Sequence, residues 1–190
     1  NAAFYGKRLV PLPPVEDYQP IRFIAVNGLY QEAQNLDEAK KVVEIIRNEI
    51  QPNEAGEFPT LGIATFNLKQ RNIIKDTIYN ETIEDEVFRL KMEAIGKTES
   101  WFVKNLENVQ GDERDIIIMS VCYGYNHKGK MLMNFGPINR RGGEKRLNVI
   151  FSRAKEHMVV VTSIGPHEIK NDYNEGANYF KKFLSPRFWI

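Results

Sequence analysis

Two rhythms of apolar residues alternate along this chain, and their alternation lays out a fold. Ile21-Arg-Phe-Ile-Ala-Val26 is a short run of β-branched and aromatic residues and predicts a strand. From Asn35 the period lengthens. Leu36, Ala39, Val42, Val43, Ile46 and Ile50 recur at helical spacing, and Asn35 followed three residues later by Glu38 forms a capping pair, so a helix of about four turns is expected. Pro52, Gly56 and Pro59 end it. Thr60-Leu-Gly-Ile-Ala-Thr65 reads as a second strand, leading through Phe66 and Asn67 into a helix that contains Gln70, Ile73, Ile74 and Ile78. The acidic stretch Glu81 to Ala94 predicts a further helix with Ile83, Val87 and Leu90 on one side and a solvated charged face.

Trp101 to Leu106 and Asp115 to Cys122 predict two more strands, the second an uninterrupted apolar run of the kind that is buried on both faces. Tyr123 to Gly143, rich in Gly, Asn and Lys, is long for a connection inside a domain, and long loops tend to carry function or partners. Leu147, Ile150, Phe151, Ala154 and Met158 return to helical spacing, Met158-Val-Val-Val-Thr162 predicts a last strand, and Tyr179, Phe180, Phe183, Phe188 and Trp189 suggest a terminal helix and tail packing back. This order fits an α/β domain: a mostly parallel sheet in three layers, with helices on both faces. Ligands of such sheets gather at the carboxyl ends of the strands, where the polar loops are therefore expected. Val10-Pro-Leu-Pro-Pro14 cannot be helix interior, so residues 1–20 read as a connector from a preceding domain and 21–190 as the domain proper.

Composition narrows the class without naming it. With 26 Lys and Arg against 25 Asp and Glu, the net charge of +1 does not announce nucleic acid. Its distribution is more informative: residues 140–156 hold Arg140, Arg141, Lys145, Arg146, Arg153 and Lys155 against Glu144 and Glu156, while residues 81–93 are acidic. The single cysteine, Cys122, excludes an internal disulfide and reads as a buried structural thiol. No apolar run approaches the roughly 18 residues that cross a bilayer, so no membrane partner and a cytoplasmic location are expected. His127, His157 and His167 lack metal-ligand spacing, and Ser152 lacks evident His and Asp partners, so neither a zinc site nor a serine nucleophile is expected.

The chemistry concentrates in two stretches. Asn108-Val-Gln-Gly-Asp-Glu-Arg-Asp115 is a polar, glycine-containing turn delivered onto the apolar strand. Arg146-Leu-Asn-Val-Ile-Phe-Ser-Arg-Ala154 reads as one helix, on which Arg146 and Arg153, seven residues apart, would fall nearly on one line roughly 10 Å apart. Two always-charged planar forks on one rigid support suit oxyanions such as phosphate, although a pair of solvated surface arginines gives the same spacing.

Gln110-Gly-Asp-Glu-Arg-Asp115 resembles motif V of superfamily 1 helicases, in the group typified by the nonsense-mediated-decay RNA helicase, and Arg146 to Ala154 resembles their motif VI. Asn1, Phe4, Tyr5 and Leu9 are similar to a segment these helicases carry after motif III, and Thr65 with Gln70 five residues on resembles motif IV. The resemblance implies a RecA-like fold, the second of two such domains, with ATP bound between them. It implies that Arg153 reaches across the cleft to the triphosphate as the catalytic arginine, and that Glu113, Gln110 and Gly111 lie at the nucleotide. Arg146 either joins them or ties its helix to neighbouring loops, for example by pairing with a motif V acid. It implies further that Thr65 and Gln70, and more weakly Asn105 and Asn148, contact single-stranded DNA or RNA, with movement 5′ to 3′. The family's Pro-Tyr after the threonine is replaced here by Phe66-Asn67, which removes the tyrosine expected there.

There is no G-x-x-x-x-G-K-[ST] phosphate cradle and no acidic pair after an apolar strand for Mg²⁺. In these helicases both belong to the first RecA-like domain. The resemblance therefore implies a domain that uses ATP and Mg²⁺ held largely by a preceding domain of the same chain, and that is inactive alone. The competing expectation is a nucleic-acid-binding or protein-interaction module that keeps the fold without turnover.

Overall fold

Strand pairing is parallel throughout. The computed structural model describes residues 20–109, 111–171 and 173–185. Asn1 to Leu9, the proline-rich connector, Gln110, Phe188 and Trp189 lie outside the described residues. Strands β1 (Ile21–Ala25), β2 (Leu61–Thr65), β3 (Phe102–Asn105), β4 (Arg114–Ser120) and β5 (Ala154–Thr162) form one sheet in the order β1-β5-β4-β2-β3. Helices α1 (Leu36–Glu49), α2 (Leu68–Glu84), α3 (Glu86–Ile95), α4 (Gly143–Phe151) and α5 (Glu175–Phe183) cover it, and the long connection after β4 contains a 3₁₀ turn at Gly136–Asn139.

Successive strand residues point to opposite faces, which divides the apolar runs between two cores. Ile118, Val159 and Val161 pack with Val42 and Ile46 of α1, Ile74 of α2 and Phe88 and Met92 of α3. Ile117, Met119, Met158 and Val160 pack on the other face with Leu147 and Ile150 of α4 and Phe180 and Phe183 of α5. This is the expected three-layer α/β, RecA-like arrangement, with an all-parallel sheet buried on both sides as such sheets require.

Two elements differ from their sequence patterns. The acidic stretch is two helices. Asp85 ends α2 and caps α3, accepting from the amides of Val87 and Phe88, while Arg47 of α1 pairs with both Asp85 and Glu81. Restarting the helix resets its phase, so Phe88, Met92 and Ile95 turn inward and Ile83, Val87 and Leu90 are exposed. The motif VI helix also stops early, at Phe151. Arg153 lies beyond its end, and Ala154 and Met158 belong to β5, where Met158-Val-Val-Val161 competes successfully for strand.

Gly143 opens α4 where its α-carbon meets the Ile138 carbonyl, and Gly176 of α5 touches the same carbonyl; a Cβ at either position would overlap that oxygen. The two glycines thus let two helices close on one 3₁₀ turn. Gly143→Ala is expected to lower stability by about 1–3 kcal/mol, because overpacking against backbone outweighs the roughly 1 kcal/mol gained in helix propensity. The readout is a lower urea midpoint at unchanged slope.

Candidate functional site at opposite edges of the sheet

Sheet direction decides where each candidate lies. Because β3 and β4 both run parallel to β2, the loop from Leu106 to Glu113 must return from the carboxyl edge to the amino edge before β4 begins. Helix α4 leads directly into β5, so its C-terminal end and Arg153 come to the same amino edge. The expectation that all motif loops gather at the carboxyl edge is therefore corrected. Glu113 and Arg153 stand side by side at the amino edge, immediately before β4 and β5, with the Arg114 amide bonded to the Arg153 carbonyl at 3.0 Å.

At that edge an Arg153 Nη approaches a Glu113 carboxylate oxygen to 3.5 Å. The same guanidinium donates through Nε to the Val149 carbonyl at 3.0 Å and through its other Nη to Ser152 Oγ at 2.9 Å. Three contacts aim the fork, while the Glu113 side chain remains 53% exposed and available to another ligand. Gly111, with φ +85° and open space around it, holds the left-handed conformation that glycine adopts without steric cost. Lys104 pairs with Asp112 at 2.6 Å and fixes the middle of the loop. Asp115 accepts from the amide and hydroxyl of Thr60 and so joins β4 to the start of β2.

Arg146 does not share a line with Arg153, since the helix carrying it ends before Arg153. It donates to the carbonyls of Arg141 (3.2 Å) and Pro137 (3.4 Å) rather than to a motif V acid, and lines a cavity of about 330 Å³ with Leu106, Glu107, Lys145 and Val149. Of its two sequence readings, the contacts are those of an arginine that ties its helix to neighbouring loops. Asn148 is half-buried on the same helix.

The carboxyl edge holds Thr65, Asn105 and Gln70. Thr65 pairs in register with Asn105 of β3 and Ser120 of β4, placing the three side chains in a row on the face that α1–α3 cover. Thr65 is fully buried and its hydroxyl has no hydrogen-bond partner among the described residues; Asn105 is 2% exposed and its Oδ1 likewise has none among them. Such orphaned groups cost about 1–3 kcal/mol each, so two in adjacent register mark a place where a ligand or water has a role. Gln70 has a different part: its amide accepts from the Asn35 amide at 2.7 Å and donates to the Asn35 carbonyl and Ser120 Oγ, each at 3.0 Å. Fully buried, it joins α1 and α2 to β4. Phe66 is wholly buried against Tyr123 and Phe180 and offers no surface to a base.

Behind this row lies a polar network that local spacing did not reveal. Asn35 caps α1 as expected, its Oδ1 accepting from the Glu38 amide at 3.1 Å. The Glu38 carboxylate, however, does not reach back to complete a capping box. One oxygen accepts from Ser120 Oγ and the Cys122 amide, both at 2.7 Å, and the other from Ser163 Oγ at 2.8 Å. Asn35 Nδ2 donates to Ser163 Oγ at 2.8 Å and to the Cys122 carbonyl at 3.3 Å. Burial pushes the Glu38 carboxyl up to about 7, against the hydrogen bonds from Cys122, Ser120 and Ser163, which favour its ionised form. Cys122 takes φ +74° at the centre of this network and is fully buried, in keeping with a structural thiol.

An all-parallel α/β sheet covered by helices on both faces is a RecA-like fold. The profile of a family described as an AAA domain matches residues 15–165, and the chain belongs to that family. It is 38% identical over 162 residues to the protein named uncharacterized ATP-dependent helicase MG140 of Mycoplasma genitalium, which covers 83% of this chain and 14% of that protein. It is 39% identical over 135 residues to the MG140 homolog of Mycoplasma pneumoniae, covering 70% of this chain and 11% of that one. The chain thus spans about one seventh or less of these relatives' length. Fold and family together make it an AAA-family domain of RecA-like fold, similar to one segment of proteins named ATP-dependent helicases.

Proposed function

We propose that this chain is the second RecA-like motor domain of an ATP-dependent helicase, similar to the nonsense-mediated-decay group, and that it follows a first RecA-like domain in the complete polypeptide. The observation that carries the reading is the convergence of Arg153 and Glu113. A fork and a carboxylate 3.5 Å apart, on loops that open β4 and β5, form one site at the amino edge. When the two domains close on ATP, Arg153 exchanges Glu113 for the γ-phosphate and meets the charge that develops there, and Glu113, so released, accepts from the ribose hydroxyls. Gln110 and Gly111 lie on the same loop and border the nucleotide. Arg146 keeps the α4 end in place, so that Arg153 is delivered from a fixed base.

ATP-bound Mg²⁺ would neutralise phosphate charge from the preceding domain. Among the described residues, no group of three or more His, Cys, Asp or Glu side chains is arranged to hold a metal ion, and no step assigned to this chain passes through one. Single-stranded DNA or RNA is read at the carboxyl edge. There, where the cover over the strand ends opens, the buried Thr65 hydroxyl would meet a phosphate oxygen and Asn105 a neighbouring sugar or phosphate group, while Gln70 holds β4 beside Thr65's strand through Ser120. Asn148, the fourth strand-binding candidate, lies in the last turn of α4 toward the amino edge and is not on this path. The two edges lie at opposite ends of β4, whose rigid packing is the physical link between nucleotide and strand.

The test is ATP hydrolysis by the complete polypeptide with and without single-stranded DNA and RNA. Stimulation by one of them is expected, whereas these 190 residues alone should not turn over ATP; hydrolysis by the isolated chain would count against the division of labour. Thr65→Val separates ligand binding from folding. It replaces an unpaired buried hydroxyl by a methyl group of the same shape, so stability should rise by about 1 kcal/mol while affinity for single strands falls. A variant that is stabilised and binds as well as wild type would remove Thr65 from the strand site.

A further inference from the structure

The carboxyl edge has a concavity at the end away from Thr65 and Asn105. Beyond β1, residues 30–33 form one wall and, beyond β4, residues 126–132 form the other; Tyr30, Gln31, Glu32, Ala33, His127, Lys130 and Leu132 line a cleft of about 490 Å³, within the range of small-ligand sites. Both walls are built to hold their shape. Glu32 and Ala33 are consecutive left-handed residues (φ 51° and 65°), held by the bridge between Gln31 and Gln34. Strain of this kind persists only where surrounding structure enforces it, and it clusters at ligand sites. In the opposite wall the Asn126 side chain accepts from the amides of Lys128 and Lys130, and its backbone closes the turn through Lys130 and Gly129. The Tyr30 amide donates to the Tyr125 carbonyl at 2.9 Å and joins the walls.

The lining combines ring, apolar and cationic groups. The Tyr30 ring is half-buried and backed by Tyr123 at 5.6 Å, so it presents a fixed surface. His127, Lys128 and Lys130 are exposed on the turn and Leu132 is 66% and Tyr125 41% exposed; of the nearby acids, Glu32 lines the cleft and Glu168 is hydrogen-bonded to Tyr125. Flat rings beside lysines are what a single strand needs, because every base has a face that stacks and every linkage has a charge. Tyr30, Tyr123 and Phe66 pack in sequence, the first pair tilted and the second edge to face, with centroids 5.6 and 5.4 Å apart, so the cleft is in packed contact with the residue after Thr65. From β3 to β1 the edge crosses four strand spacings, about 19 Å, enough for a few nucleotides.

We propose that the cleft between the Tyr30–Ala33 and Asn126–Leu132 walls is a nucleobase subsite for single-stranded nucleic acid, in which Tyr30 and His127 supply the stacking surface and Lys130 meets the adjoining phosphate. This rests on the strand-binding reading of Thr65 and Asn105 and extends their path to the far side of the sheet.

The experiment measures binding of a fluorescent single-stranded oligonucleotide to the complete polypeptide across a salt series. His127→Ala should weaken binding roughly 5- to 150-fold, the loss of one stacked base, without changing the salt slope. Lys130→Ala should reduce that slope by about 0.7, one phosphate contact on a single strand. Both residues lie on an exposed turn whose shape comes from Asn126 and Gly129, and unchanged urea midpoints check that the fold is intact. If wild type binds and both variants match it in affinity and slope, the subsite is overturned while Thr65 and Asn105 stand. If wild type binds no single strand, the strand-binding reading fails and the subsite with it.

Discussion

Arg153→Ala in the complete polypeptide is expected to lower strand-stimulated kcat by about 10³- to 10⁵-fold, the range of an arginine that meets charge on a transferring phosphoryl group. The fold should survive. Two of the three Arg153 contacts reach only Val149 and Ser152 on the adjoining turn, and the third is an ion pair to a carboxylate that is half exposed, which contributes at most about 1 kcal/mol. The apolar face of α4 that anchors this region, Leu147 and Ile150, is untouched. Arg153→Lys is the sharper variant. It keeps the charge but not the planar fork, and a kcat close to that of the alanine variant would show that geometry, not charge alone, is required. Glu113→Gln should act mainly on KM for ATP, because it alters a ribose contact that is present before and during the reaction. An Arg153→Ala enzyme with wild-type kcat would end the assignment, and an unchanged urea midpoint ensures that a loss of activity is not a loss of fold.

What the sequence made legible, and what it hid, follows the reach of each signal. The strands at Leu61–Thr65 and Arg114–Ser120 and the helix after Asn35 were readable because their periods and the Asn35 cap are local. Local period also misled. Ala154 and Met158 match the spacing of Leu147 and Ile150, yet four consecutive strand-forming residues from Met158 draw them into β5. Ile83, Val87 and Leu90 looked like one face until Asp85 divided the helix. The two-edged site was invisible in principle, since nothing in residues 106–113 states that the loop must travel back along the sheet. That follows from the parallel pairing of β3 and β4 with β2. Arg153 and Glu113 were singled out by a resemblance that implied one shared site, and the fold sets their side chains 3.5 Å apart.

Glu38 shows the same limit most clearly, because its partners Ser120, Cys122 and Ser163 lie 82, 84 and 125 residues away. Glu38→Ala should destabilise the domain by about 3–5 kcal/mol, since it opens a cavity and strips two hydroxyls and one amide of their buried acceptor. Glu38→Gln distinguishes the charge from the shape. Its carbonyl can still accept from Ser120 and Cys122, while its amide confronts the donors of Ser163 and Asn35, costing about 1–3 kcal/mol in acid. The wild-type carboxyl titrates near 7 when folded against 4.5 when free, so between those values the folded state holds a proton that the unfolded state has lost. Stability contributed by this group is full below pH 4.5 and declines as pH rises through 7, by about 3 kcal/mol in all. Carboxylates held low, such as Asp85 beside Arg47, act in the opposite sense in acid but equally in both proteins, so they cancel in the difference. Wild type should therefore be the more stable at pH 5, and the glutamine variant should draw level with it or pass it by pH 8. Parallel urea midpoints for the two proteins across that range would mean that Glu38 is already ionised in the folded domain, and that its hydrogen-bond donors outweigh its burial.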